Sequence, residues 1–105
     1  MKNEYDVRLD RNGYAPSILG EQDRCFICGR MGGKIDRHEV YHGPYRDKSK
    51  RLGCWVGLCP ECHDRLHHKG GGLDSELKRE VQIIVMDYYD LSVEGFRELF
   101  GKSYI

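Results

Sequence analysis

The stretch Leu58-Cys59-Pro60-Glu61-Cys62-His63-Asp64-Arg65-Leu66-His67-His68 decides how this chain is read. Its C-x-x-C spacing lets Cys59 and Cys62 grip one ion from a single turn. Pro60 suits the first turn of a helix, where its missing N–H would have no partner anyway. A helix is therefore expected from Cys59-Pro60 to about His68. Backbone N–H groups at its start would donate to the sulfurs and lower their thiolate pKa values. Within it, His63 and His67 are four residues apart and share a face.

Upstream lies a second pair, Cys25-Phe26-Ile27-Cys28, with Gly29 completing a knuckle. Two such pairs point to a structural zinc held by Cys25, Cys28, Cys59 and Cys62. One pair on a hairpin knuckle and one at a helix start is the treble-clef arrangement. Free buried thiols or a redox dithiol are the alternative for the same cysteines. Cys54 falls outside the pattern and reads as a packed strand residue. An odd number of cysteines, five in all, behind an opening Met1–Asp6 without an apolar secretory run argues against a disulfide framework.

Between the pairs the sequence suggests a Gly32-Gly33 turn, a strand around Ile35–Tyr41, a basic loop Gly43–Gly53 and a second strand Cys54–Leu58. Trp55 reads as core behind the zinc. His38 lies on the first strand with Glu39 beside it and His42 four residues on. Taken singly, His42 is a turn residue, and His67 and His68 sit exposed at a helix end. Taken together around a zinc frame, His38, His63 and His67 are expected to converge on a second ion. A metal site with a histidine to deprotonate water suits attack on a phosphodiester.

Farther out, residues 1–23 read as an irregular N-terminal segment with a short hairpin at Asn12-Gly13, where Val7 and Leu9 alternate with polar neighbours. Residues 24–70 form the zinc-stapled module. Gly70-Gly71-Gly72 ends its helix and acts as a hinge. Residues 73–105 are two helices packing on the module. The first shows an apolar stripe of Leu77, Val81, Ile84, Val85 and Tyr88, capped by Asp74 or Ser75. The second starts at Ser92, turns Phe96, Leu99 and Phe100 inward and stops at Gly101. The expected class is small α+β, a zinc-bound core with a C-terminal helical extension.

At 105 residues this is one domain, with 39% hydrophobic and 32% charged residues and therefore a modest core. Such a chain gains stability from a bound ion. Lys+Arg and Asp+Glu both number 17, so bulk charge recruits no polyanion. Locally the balance differs: residues 24–51 hold eight cations against three anions, and residues 74–100 hold three against seven. Only the middle can meet a phosphate backbone. The longest apolar run, Ile83–Met86, is far short of the ~18 residues of a membrane span. A soluble, cytoplasmic protein is expected.

The order Cys25-x-x-Cys28, His38 on a strand, then Leu58-Cys59-Pro60-Glu61-Cys62-His63 and His67 on a helix resembles the His-Asn-His (HNH) nucleases, closest to the small zinc-stapled type of phages and prophages. The likeness spans about Arg24 to His68. It implies a ββα-metal fold and metal-dependent hydrolysis of DNA. It also implies His38 as general base, with His63 and His67 as ligands of a catalytic Mg²⁺ or other divalent ion. The family usually carries an acidic residue or histidine just before the general base as a further ligand. Here that position is Arg37, which cannot coordinate a cation. Asp36 or Glu39 could substitute if the strand is bulged; either Glu39, the preferred candidate, takes over or the second site is degraded. The basic loop supplies Arg46, Lys48, Lys50 and Arg51 for phosphates, Arg46 best matched by its fork, with Tyr41 and Tyr45 beside it to stack on bases. Two other readings keep the frame without cleavage. One is a zinc-stapled nucleic-acid-binding module. The other is an adaptor using the acidic helix Asp74–Asp90, with a homodimer or protein partner on the C-terminal helices.

Overall fold

A short antiparallel hairpin and the helix that follows it position most of the chemistry-bearing residues. The computed structural model describes residues 1–68 and 72–105; the expected hinge at Gly70 and Gly71 lies outside these. In chain order the described residues form strand β1 (Asp36–Glu39), a 3-10 turn (Gly43–Tyr45), helix α1 (Arg46–Arg51), strand β2 (Trp55–Leu58) and helices α2 (Pro60–His68), α3 (Leu73–Tyr88) and α4 (Val93–Phe100). This is a small α+β fold with one two-stranded sheet.

β1 and β2 run antiparallel, with Asp36 opposite Leu58, His38 opposite Val56 and Glu39 opposite Trp55. Both strands are shorter than the alternation suggested, because Val40 and Cys54 continue only as a single backbone bond at 3.0 Å. The cysteine knuckle docks on the outer edge of β2. Its loop is closed by an isolated bridge between Arg24 and Met31. Phe26 N–H donates to the Gly57 carbonyl at 2.8 Å. That approach needs glycine, since a Cβ at Gly57 would lie 2.6 Å from Ile35 Cγ2.

The stretch expected to be a basic loop is largely helical. A 3-10 turn opened by Gly43-Pro44 leads directly into α1, whose buried residue is Ser49. No apolar periodicity marks Arg46–Arg51, so pattern reading misses a helix anchored by a hydroxyl. Ser49 Oγ donates to the Cys54 carbonyl at 2.6 Å and accepts from Tyr41 N–H at 3.2 Å, joining the exit of β1 to the entry of β2.

The N-terminal segment is irregular, as expected, but its turn is not a hairpin at Asn12-Gly13. Its isolated bridge joins Lys2 to Arg8. The later turn is instead organised by Asp10, whose carboxylate accepts from the N–H groups of Asn12 and Tyr14. The segment lies along α1 and its exit, with Ala15 N–H on the Lys50 carbonyl and Ile18 N–H on the Gly53 carbonyl, both at 3.0 Å.

In α3 the buried face is Leu77, Val81, Gln82 and Val85. Ile84 and Tyr88, expected in the stripe, are exposed. Gln82 takes the inward place because its amide is fully paired, bonding Ser103 Oγ at 3.0 Å and Tyr104 N–H at 2.6 Å. Neither Asp74 nor Ser75 caps α3; its N-cap is Gly72, with no side-chain bond. α4 follows expectation: Ser92 Oγ accepts from Gly95 N–H, and Gly101 ends the helix at a left-handed φ of 83°. Phe96 and Phe100 pack against Tyr41, with ring centroids 5.3 and 4.4 Å away. The Tyr41 hydroxyl donates to the Lys78 carbonyl at 2.8 Å. The residue just past β1 thus ties the sheet to both C-terminal helices. Among the described residues no helix is long and apolar enough to cross a membrane.

Candidate functional site

Two clusters of ligand-bearing side chains stand on either side of the N-terminal half of α2. The first is Cys25, Cys28, Cys59 and Cys62, whose sulfurs all lie within 4.8 Å of one another. Cys28 and Cys59 are 3.8 Å apart. A tetrahedral zinc with arms of about 2.3 Å separates its sulfurs by about 3.8 Å. The donor chemistry fits as well. Burial opposes ionisation of Cys25, but N–H groups of Cys28, Cys59 and Ile27 outweigh it and bring this thiol down to about 6. Burial and the neighbouring cysteines push Cys62 up to about 12. Four thiolates cannot be negative together in this space without a cation among them. The four cysteines can hold a structural metal such as zinc. Cys54 is fully buried and apart from them, a core residue whose thiol burial pushes upward.

The second cluster brings together His38, His63 and His67, each offering a ring nitrogen within 4.8 Å of the others. Their ring centroids are 5.3, 5.3 and 4.9 Å apart. Strand alternation explains the convergence. Asp36 and His38 share the face of β1 that meets α2, and one turn of α2 separates His63 from His67. Asp36 Oδ2 lies 3.3 Å from His63 Nδ1. A carboxylate there orients the ring and leaves Nε2 for an ion. His38 is buried; burial, then the adjacent rings of His63, His67 and His42, push its pKa down to about 3. It is a neutral imidazole at neutral pH, the form that binds a metal or accepts a proton. Burial and the same neighbours lower His67 too.

No family model, no curated protein and no solved structure matches this chain. What can be said of the site therefore comes from its own residues.

Arg37 and Glu39 line the same pocket as His38, but Glu39 offers no atom to the imidazole cluster. Its carboxylate accepts from Tyr14 Oη and Arg46 Nε, both at 2.8 Å. Burial and this carboxylate push the Tyr14 phenol up to about 12, so it remains the donor. Arg37 spreads over the Tyr14 and Trp55 rings, 4.3 and 5.0 Å from their centroids, and bonds Asp10 at 2.9 Å. Trp55 is therefore a half-buried partner of Arg37, with its indole N–H on the Ala15 carbonyl, rather than core behind the cysteines.

A polar pocket of about 220 Å³ is lined by Tyr14, Arg37, His38, Glu39, His42, Arg46, His63 and His67. Of the four expected phosphate-binding cations, only Arg46 reaches it. Lys48 donates to the Leu99 carbonyl, Lys50 sits 4.8 Å from the Tyr14 ring centroid, and Arg51 pairs with Glu4 at 3.1 Å. Tyr41 is buried in the core, and Tyr45 packs half-buried against it, its ring edge-on to Phe100. Pattern reading missed Tyr14 and Asp74 as neighbours of the site. Asp74 lies 3.5 Å from His42, and no local sequence signal marks a contact spanning 32 residues.

Proposed function

We propose that this chain is a small metal-dependent endonuclease built on a treble-clef, ββα-metal scaffold, with a structural zinc at the four cysteines, acting on the phosphodiester bonds of DNA. The observation that carries the reading is the convergence of His38, His63 and His67, from a strand and a helix, in a pocket rimmed by Arg37 and Arg46. A divalent ion held by His63 and His67 would supply Lewis-acid stabilisation of the charge that builds on the phosphoryl and leaving oxygens. Fit to such an ion rests on three convergent ring nitrogens, a carboxylate behind His63 and a polar lining.

In this reading His38 accepts a proton from the attacking water. Its depressed proton affinity keeps the lone pair free even at acid pH, at the expense of driving force for the transfer. Asp36 fixes the His63 ring. Arg37 and Arg46, both lining the pocket, bind non-bridging phosphate oxygens; the guanidinium fork matches that geometry. Glu39 holds Arg46 in place and keeps the Tyr14 hydroxyl turned inward.

Nicking of supercoiled plasmid in Mg²⁺, Mn²⁺, Co²⁺ or Ni²⁺ tests this. His38→Ala should lower the rate by roughly 100-fold or more, the usual worth of a positioned base, while the zinc content stays at one per chain. Salt-sensitive DNA binding with no cleavage in any of these ions would instead favour a binding module. Arg37, placed where the resembled nucleases carry a ligand, is the observation on that side. A protein-partner role draws on a different surface: Ile83, Ile84 and Tyr88 of α3 are exposed large apolar residues.

A further inference from the structure

Among the described residues, three side-chain atoms are buried without any hydrogen-bond partner: His38 Nε2, His42 Nε2 and Asp74 Oδ1. Unpaired buried polar atoms are rare and destabilising, so three together call for a missing group. They come from separate parts of the fold. His38 is on β1, His42 is the extended residue just before the 3-10 turn, and Asp74 is the second residue of α3. His38 and His42 line the imidazole pocket, and Asp74 stands behind His42 at its edge. The His42 ring centroid is 5.9 Å from that of His38 and 6.0 Å from that of His67. His42 Nε2 and Asp74 Oδ1 are 3.5 Å apart, close but outside a well-formed hydrogen bond. That separation is near the spacing of two adjacent ligands on one ion with arms of about 2.1 Å.

The rest of Asp74 is prepared for such a role. Its other oxygen, Oδ2, pairs with Lys78 Nζ at 3.0 Å, one turn along α3. The lysine fixes the carboxylate and leaves Oδ1 aimed at His42, as outer partners fix metal ligands elsewhere. The first turn of a helix also favours a negative side chain. The carboxylate expected from Glu39 is occupied by Tyr14 and Arg46 and that of Asp36 by His63 and Lys34, whereas Asp74 keeps one oxygen unpartnered beside His42.

We propose that Asp74 and His42 are ligands of the divalent ion in the imidazole pocket, and that the set of imidazoles plus one carboxylate selects a transition-metal ion such as Co²⁺, Ni²⁺ or Zn²⁺ over Mg²⁺. The inference rests on the reading that the pocket binds an ion at all. It adds who holds that ion and of what class it is. Nitrogen-rich sites favour late first-row metals, whereas Mg²⁺ requires oxygen donors.

Titration of the zinc-loaded protein with Co²⁺, read by visible absorption and by calorimetry, tests both parts. Wild type takes up one Co²⁺ beyond the cysteine zinc, and millimolar Mg²⁺ does not displace it. Asp74→Asn and His42→Asn each weaken that binding at least about tenfold and alter the absorption band, with one zinc per chain retained as the check on folding. Asp64→Asn, whose carboxylate pairs with the exposed His68, leaves binding unchanged. If Asp74→Asn and His42→Asn bind Co²⁺ like wild type while His63→Asn does not, the pair is an ordinary contact and this inference fails, with the pocket's ion intact. Displacement by Mg²⁺ overturns the selectivity. Absence of any second ion in wild type overturns the inference together with the reading beneath it.

Discussion

His38 is a titratable ring enclosed where a proton is unwelcome, and that has a thermodynamic consequence apart from any catalysis. Burial and three neighbouring imidazoles hold its folded-state pKa at about 3, against about 6.5 in an unfolded chain. Between those values the unfolded state binds more protons than the folded one, so stability rises with pH. The contribution is complete above about pH 6.5 and is lost as pH falls toward 3. With zinc present throughout, the urea midpoint of wild type should fall more steeply from pH 7 to pH 5.5 than that of His38→Gln, which has no proton to exclude. Parallel curves would mean that His38 becomes charged without penalty, and the enclosure described for it would be wrong. Single residues also decide how tightly the fold closes. A Cβ at Gly101 would collide with the Tyr45 hydroxyl, and its φ of 83° already favours glycine. The helix stop read from the sequence thus coincides with the point where α4 meets the turn before α1.

Helix α1 shows what sequence patterns reveal about an element and what they hide. Cysteine spacing, Pro60 and the His63/His67 interval marked α2 correctly, because metal-ligand geometry and helix periodicity both leave local signatures. The same holds for Ser92 and Gly101 at the ends of α4. Arg46–Arg51 leaves no such signature: its only inward residue is Ser49, and a hydroxyl between five charged neighbours looks like solvent-facing loop. Gln82 in α3 was invisible for the same reason, while Ile84 and Tyr88 looked like core and are not. The site shows the same division. Three imidazoles and the candidate carboxylate Asp36 were legible beside the cysteine pattern, but Tyr14 and Asp74 enter the site's surroundings through tertiary contacts. The importance of Ser49 can be measured. Ser49→Ala leaves the Cys54 carbonyl and Tyr41 N–H without their buried partner, and each orphaned group costs about 1–3 kcal/mol. A loss of roughly 2–6 kcal/mol in urea unfolding is expected, with weaker Co²⁺ binding as β1 loosens. A loss below about 0.5 kcal/mol would show that the α1 junction is held by something else.

For the whole molecule, the cysteine cluster is the tie between the upstream knuckle and α2, and α2 carries two of the three imidazoles. The core alone is small. It is centred on Val40, Tyr41, Leu52, Val56, Leu58, Val81, Val85, Phe96 and Phe100, and the residues before Arg24 contribute to it mostly through backbone bonds along α1. Were zinc held by the four cysteines, its binding free energy would be folding free energy, on the order of 10 kcal/mol at neutral pH. Without the ion, the mutual repulsion of the thiolates, or the proton uptake needed to avoid it, opposes closure of the knuckle onto α2. Removal of zinc by a chelator should therefore abolish the cooperative thermal transition seen by circular dichroism and, with it, Co²⁺ uptake at the distant imidazoles. Cys62→Ser should behave like the chelated protein even with zinc present. Cys54→Ala should keep both the transition and the zinc, at a moderate loss of stability from the cavity. If the chelated chain instead melts within a few degrees of the zinc form, the apolar core is sufficient by itself, and the imidazole pocket owes its shape to packing against α3 and α4 rather than to the metal.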